Sequence, residues 1–281
     1  MTARFFWIAS YPKSGNTWIR LMLRSLSQGG APVDLASRAS FCPMASRRDA
    51  LDYWCDIQSS DLTDDEAMAL RPLQYAAEAA AADGLLLRKT HDAWTSTPRR
   101  SPLFPPALTQ GALYIVRDPR DIALSFAAHR GCSVDDTIEM MGRRDATLSR
   151  SASAGSAQLR QRLLSWSLHV ASWLDATPAP LLLRYEDVVR DPVAALRRVV
   201  ERLGWDSSPE TVEASVAATK LDVLKAAEAR QGFVERPLGS ATFFRKGQIG
   251  EWQQHLSAAQ ASRIETDHGA MMTRLGYLAS S

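Results

Sequence analysis

The stretch Phe5-Phe6-Trp7-Ile8-Ala9-Ser10-Tyr11-Pro12-Lys13-Ser14-Gly15-Asn16-Thr17-Trp18 passes from an uninterrupted apolar run, through small residues, into a helical pattern. An apolar run without alternation is the mark of a strand covered on both faces, as in a parallel sheet. A helix predicted from about Asn16 to Leu26 comes directly after it, so the turn presents backbone N–H groups at a helix N-terminus. Lys13 adds a full positive charge there, and the combination reads as a phosphate cradle. The order is not that of nucleoside triphosphatases, G-x-x-x-x-G-K-[ST], because this lysine precedes the glycine. Taken alone, the segment reads equally well as an ordinary strand–helix turn.

Working outward, three further short apolar runs predict strands at Leu85–Leu87, Ala112–Val116 and Leu181–Leu183. Helical patterns lie between them. One opens at Pro119 with Asp118 placed as its cap and Asp121 in its first turn. A stripe of Leu159, Leu163, Trp166, Val170 and Trp173 has helical spacing. Another helix opens at Asp191-Pro192 and carries Val193, Leu196, Val199, Val200 and Leu203 before Gly204. Strands alternating with helices predict an α/β fold with an open, mostly parallel central sheet flanked by helices. With no internal repeat and no evident linker, residues 1–281 read as one domain. Gly131–Ser156, with its small-residue tract Arg150–Ser156, and Arg230–Thr242 read as irregular loops.

Each apolar run gives way to polar and mostly basic residues. Lys13 comes after the first, Arg88-Lys89-Thr90-His91 after the second, Arg117 after the third and Arg184-Tyr185-Glu186-Asp187 after the fourth. Ligands of open parallel sheets bind beyond the carboxyl ends of the strands, so all four sets should meet at one edge. Bulk charge plays no part in this: 33 Lys+Arg against 31 Asp+Glu leave a net charge of +2. That balance argues against non-specific nucleic-acid binding, which needs a basic stripe. Cys42, Cys55 and Cys132 are odd in number and widely spaced, which predicts reduced thiols rather than disulfides or a zinc site. No segment approaches the ~20 apolar residues of a spanning helix, and Phe5–Ala9 is too short for a signal-peptide core. The expectation is a soluble, cytoplasmic protein without membrane insertion.

Tyr11-Pro12-Lys13-Ser14-Gly15-Asn16-Thr17-Trp18 resembles the 5′-phosphosulfate-binding loop of sulfotransferases that use 3′-phosphoadenosine-5′-phosphosulfate (PAPS). That family usually has Thr where this chain has Asn16. The loop grips phosphate through backbone N–H groups, so the change is compatible with binding, and it points to a bacterial branch of the cytosolic type. Further segments resemble the family in the same order. Arg117 and Ser125 are similar to the pair that holds the donor's 3′-phosphate, and Lys89-Thr90-His91 to the strand end that carries the catalytic base. Phe243-Phe244-Arg245-Lys246-Gly247-Gln248-Ile249-Gly250-Glu251-Trp252 resembles the R-K-G-x-x-G-[DE]-W clamp over the 3′-phosphate and adenine. Tyr185 and Thr219 fall where the family contacts the adenine base. The resemblance runs from Phe6 to about Trp252.

It implies transfer of a sulfuryl group from PAPS to the hydroxyl of a small-molecule acceptor, releasing PAP. In that reading His91 is the general base, with an ordinary pKa of ~6.5 suited to neutral pH. Lys13 neutralises the departing 5′-phosphate and Lys89 steadies the sulfuryl oxygens. Ser125, by resemblance, holds Lys13 back until the acceptor binds. Arg117 and Arg245 are suited to meet the two charges of the 3′-phosphate with forked hydrogen bonds. No metal is expected. His169 is expected to be a core residue, and His129, His255 and His268 have no strand-end context. The acceptor pocket is expected in loops Gln28–Asp61, Trp94–Pro106, Gly131–Ser156 and Arg230–Thr242, with Phe41, Tyr53, Trp54, Trp94, Phe104 and Phe233 as candidate lining. A P-loop-type kinase or nucleotide hydrolase and a non-catalytic PAP- or PAPS-binding module stand as alternatives. Oligomeric state stays open, since there is no K-x-x-x-T-V-x-x-x-E segment after Trp252.

Overall fold

The structure is a computed structural model describing residues 3–37, 40–148, 157–236 and 242–279. Its centre is a four-stranded sheet of β1 (Arg4–Ser10), β2 (Leu85–Thr90), β3 (Thr109–Val116) and β6 (Leu181–Arg184), in the order β2-β1-β3-β6. Every pairing is parallel. The predicted runs all lie within these strands, buried throughout in β1 and β3 and partly in β2 and β6. Side chains alternate across a strand, so Phe5, Trp7 and Ala9 enter one core layer while Phe6 and Ile8 enter the other. Both faces are therefore apolar, which is why the runs do not alternate.

Helices cover both faces. α1 (Asn16–Ser27), α8 (Pro192–Leu203) and α9 (Pro209–Ala218) pack on the Phe6–Ile8 side. α3 (Asp64–Ala80), α4 (Pro119–Arg130), α6 (Trp166–Leu174) and α12 (Ala258–Arg274) pack on the other. Asp118 caps α4 by accepting from Arg120 N–H at 2.9 Å, and Asp191 caps α8 by accepting from Ala194 N–H at 2.9 Å. The short helices α2 (Arg48–Cys55), α7 (Tyr185–Arg190), α10 (Leu221–Gln231) and α11 (Trp252–His255) connect these layers.

Two expectations from the sequence change. The stripe from Leu159 to Trp173 is not one helix. Gln161–Arg162 is a short strand, β5, paired with β4 (Thr147–Leu148), and α6 begins only at Trp166. Leu164 adopts φ 60°, which no α-helix accommodates, and the Ser165 hydroxyl caps α6 by accepting from Leu168 N–H. Leu159 and Leu163 are buried all the same, in two different clusters. Within Gly131–Ser156, residues Val134–Gly142 form helix α5, capped by Ser133. Residues 149–156, including the small-residue tract, lie outside the described residues, as do 237–241 of the second predicted loop.

Candidate active site

Because the strands are parallel, their carboxyl ends meet at one edge. Ser10 is in register with Ile115, Ala9 with Thr90, and Val116 with Arg184. His91, Arg117 and Tyr185, each just past a strand end, are therefore set around the loop that leaves β1. A cavity of about 1300 Å³ opens there. It is lined by Lys13, Gly15, Asn16, Thr17, Trp18, Lys89, His91, Arg117, Ser125, Tyr185, Thr219 and Phe243–Gly247. Of the catalytic and donor-binding residues expected from sequence, Ser14 alone is missing from the lining. It is buried, and its Oγ has no hydrogen-bond partner.

The loop is shaped by its backbone. Lys13 adopts φ 68° and Gly15 φ 99°, the left-handed region that favours glycine. A Cβ on Gly15 would stand 2.5 Å from Cδ2 of Tyr185. Gly15→Ala is expected to push that ring away and weaken PAP binding by at least tenfold while the protein stays folded. Calorimetry with PAP and a melting curve check both halves.

Asn16 does not face outward. Its amide donates to Ile8 O at 3.0 Å and Ser10 Oγ at 3.3 Å, and its Oδ1 accepts from Arg20 Nε at 2.9 Å. This side chain ties the loop to β1 and to Arg20 of α1.

Cations converge on the loop. Lys13 Nζ lies 5.0 Å from the centre of the Phe243 ring. Its pKa is depressed to about 8, first by burial and then by Lys89, Arg117 and Arg245. The Arg117 guanidinium donates to Lys13 O at 3.2 Å and Gln248 O at 2.9 Å, and stands 4.5 Å over the Tyr185 ring. Its Nε is buried without a partner. Crowded cations and orphaned donors of this kind fit a site built to bind an anion.

The segment 243–252 is clamped across this site from two sides. Glu228 accepts from the N–H groups of Phe243 and Phe244 at 2.7 and 3.1 Å. Asp121 accepts from those of Gly250 and Trp252 at 2.7 and 3.0 Å. Tyr185 Oη donates to Gly247 O at 3.1 Å. Lys246 pairs with Glu251 at 2.8 Å, and Thr219 turns its hydroxyl onto Ser215 O at the end of α9. The carbonyl of Thr219 accepts from Trp18 Nε1 at 2.9 Å, which sets the indole edge-on to Tyr185.

His91 is the most constrained group. Its Nδ1 lies 2.8 Å from Ser10 O, and a carbonyl oxygen only accepts. Nδ1 therefore carries the proton and Nε2 is the free lone pair. The backbone is fixed as well: His91 N–H donates to Gln161 Oε1 at 3.2 Å, and His91 O accepts from Nε2 of buried His169 at 3.1 Å. His169 is a core residue, as expected, with Tyr114 Oη donating to its Nδ1 at 2.8 Å. Burial, and secondly the charge of Lys89, hold the His91 pKa well below 6.5, so the ring is neutral. Asp92 does not orient it. That carboxylate is buried against Arg71 at 2.8 Å and Arg162 N–H at 2.9 Å.

The aromatic residues expected to line an acceptor pocket are elsewhere. Trp94 and Phe104 stack at 5.2 Å into the core beside Trp173, Phe233 packs on Phe243 and Phe244, and Phe41 meets Trp205. Tyr53 is 76% exposed, with Trp54 edge-on to it. Aromatic rings in loops carry no sequence mark that separates core from pocket. The rest of the cavity is instead lined by Met44, Arg47, Phe126, Gln158 and Gln161, with His129 and Arg130 from the last turn of α4. His129 and His255, for which the sequence offered no context, both reach it. Arg20 and Glu235 line it too, and neither carries a sequence signal that marks it for the site.

The family profile for the sulfotransferase domain matches residues 4–276. Among curated proteins, rat sulfotransferase 1A1 is 27% identical, covering 95% of this chain and 84% of its own. Cytosolic sulfotransferase 17 of Arabidopsis thaliana is 24% identical, covering 98% of this chain and 76% of its own. Among solved structures, mouse sulfotransferase SULT7A1 complexed with PAP superposes with a TM-score of 0.60 at 18% identity, over 96% of this chain and 84% of that one. Retinol dehydratase in complex with androsterone and PAP gives 0.60 at 18% identity, over 95% of this chain and 80% of that one. The chain belongs to the sulfotransferase family of PAPS-dependent transferases. Among the described residues, no helix is long and apolar enough to cross a membrane.

Proposed function

We propose that the protein transfers the sulfuryl group of PAPS to the hydroxyl of a small-molecule acceptor, with His91 as general base. The observation that carries this reading is the His91–Ser10 hydrogen bond. It leaves Nε2 unprotonated on a ring that lines the same cavity as Lys13 and Lys89. PAPS supplies an activated sulfuryl group on its 5′-phosphate. The orphaned Ser14 Oγ and Arg117 Nε, the cradle that a Gly15 side chain would fill, and the crowded lysines all fit such a polyanion.

The side chains divide the work. Nε2 of His91 takes the acceptor's hydroxyl proton as its oxygen bonds to sulfur, becoming imidazolium held through Nδ1–H on Ser10 O. Lys13, on the phosphate loop, offsets the negative charge that grows on the 5′-phosphate as the sulfur–oxygen bond breaks. Lys89 faces the sulfuryl oxygens. Arg117 and Arg245 meet the 3′-phosphate, and Phe243 and Phe244 close over the nucleotide. The site would act by placement and electrostatics, as phosphoryl-transfer sites do.

Incubation with PAPS and a panel of phenols, sterols, sugars and aliphatic alcohols, read by mass spectrometry, tests the reading. A product heavier by one SO₃ is expected. Turnover of Mg²⁺-ATP with no sulfated product overturns it. The pH profile is a second test. His91 is already neutral, so kcat should show no limb near pH 6.5. Lys13 and Lys89 lose protons near pH 8, so kcat/KM for PAPS should fall as the pH rises through about 8. A bound polyanion favours the protonated lysines, so the limb in kcat should lie at higher pH.

A further inference from the structure

Glu235 is a carboxylate set among the cations of the site. Glu235 belongs to the short segment after α10, which Phe233 anchors in a cluster with Phe243 and Phe244 and which Val234 N–H ties to Leu35 O at 3.2 Å. From there Glu235 crosses to α1. Arg20 grips it with two parallel hydrogen bonds, Nη1 to Oε1 at 2.9 Å and Nη2 to Oε2 at 2.7 Å. The Thr17 hydroxyl donates to Oε2 at 3.4 Å, and Lys89 Nζ lies 3.7 Å from the same oxygen. Arg20 is itself locked by Asn16 Oδ1 and Thr17 Oγ1. The carboxylate is thus held from both sides and cannot swing away from Lys89 without breaking the Arg20 fork.

We propose that Glu235 is a positioning residue for sulfuryl transfer: fixed by Arg20, it holds the Lys89 ammonium beside the phosphosulfate loop and keeps it charged for the donor's sulfonate. This rests on the role proposed for Lys89 in sulfuryl transfer. Arg20, Glu235 and Lys89 together carry one net positive charge, and all three line the cavity.

The groups around Lys89 make this necessary. Arg20 of α1 disfavours its proton and the Lys13 charge stands nearby, while the Cys42 thiol, itself pushed up to about 11 by burial, supports that proton less than Glu235 does. Burial and Arg20 bring Lys89 down to about 8, with Glu235 as the main opposing influence. Glu235 itself, although burial opposes it, is held down to about 2 by Lys89 and Arg20, so it is an anion at every working pH. Losing an opposite charge at this distance lowers a pKa by about one unit or more.

The test needs no acceptor. Binding of PAPS and of PAP, which lacks the sulfonate, is measured by calorimetry at pH 6 and pH 8 for wild type, Glu235→Gln and Lys89→Ala. In Glu235→Gln the protonated fraction of Lys89 at pH 8 falls from about one half to about one tenth for a one-unit shift, so PAPS should bind roughly fivefold more weakly. At pH 6 the same variant should match wild type, and PAP affinity should change less than twofold at either pH. An anchoring role alone would weaken both ligands at both pH values, and that result overturns the proposal. Lys89→Ala should lose PAPS affinity at both pH values. If it binds PAPS like wild type, the role assigned to Lys89 fails and the proposal with it. If it weakens PAPS while Glu235→Gln at pH 8 does not, only the proposal fails. Glu235→Asp, which withdraws the charge by one methylene, should shift the same way by less, and serves if the Gln variant does not fold.

Discussion

Exchange of His91 for alanine is expected to lower kcat by roughly 10²–10⁴-fold, the span of a lost general base, while PAP binds with unchanged affinity. The split comes from the geometry. The ring contacts Ser10 and lines the cavity, whereas the groups proposed to face the nucleotide belong to the β1 loop, Arg117, Tyr185 and the 243–247 segment. The backbone of residue 91 remains held by Gln161 and His169, so the strand end should keep its course. His91→Asn is the stricter variant, since its amide can still donate to Ser10 O but offers no basic nitrogen. Single-turnover rates with PAPS and whichever acceptor the screen returns measure the effect. A variant within tenfold of wild type would remove His91 from its role.

Arg117→Ala should weaken PAP binding by roughly 10- to 100-fold, as expected when charge-assisted hydrogen bonds of about 1.5–3 kcal/mol are lost. It should also reduce the preference for PAP over 5′-AMP, which differs in lacking the 3′-phosphate, with Arg245 keeping the remainder. Arg117 joins two parts of the site, since one guanidinium bonds Lys13 O and Gln248 O and faces Tyr185. Loss of selectivity, beyond loss of affinity, separates contact with the phosphate from mere support of the loops. Calorimetry with the two nucleotides gives both numbers. Retention of the wild-type preference would show that the 3′-phosphate is met elsewhere.

Much of the fold was legible because its signals are local. Four apolar runs, the caps Asp118 and Asp191 and the stop at Gly204 each act within a few residues. Helix α5 carries a local signal too: Ser133 precedes Val134, Ile138 and Met141 at helical spacing, but acidic and arginine residues around them masked the stripe. The stripe from Leu159 to Trp173 erred in the other direction. Burial alone produced helical spacing there, and the break at Leu164 is a backbone torsion with no residue-type signature.

The site divides in the same way. The order of strands and the polar residues at their ends were enough to set Lys13, Lys89, His91, Arg117 and Tyr185 around one edge, because parallel strands must all end on the same side. Pairings between distant parts of the chain were beyond that reasoning. Asp121 seats Gly250 and Trp252, Glu228 seats Phe243 and Phe244, and Glu235 reaches Arg20 from 215 residues away. Charged residues so far apart share no period or spacing, so nothing in the chain says which will meet.

The amino-acid sequence by itself determined the parallel α/β framework and which chemical groups stand at its working edge, since strand burial, capping and chain direction are local properties. Only the tertiary structure decided which nitrogen of His91 is free and which carboxylate holds Lys89. A proton's place on an imidazole depends on the carbonyl of a neighbouring strand, and an ammonium's charge depends on what is buried beside it.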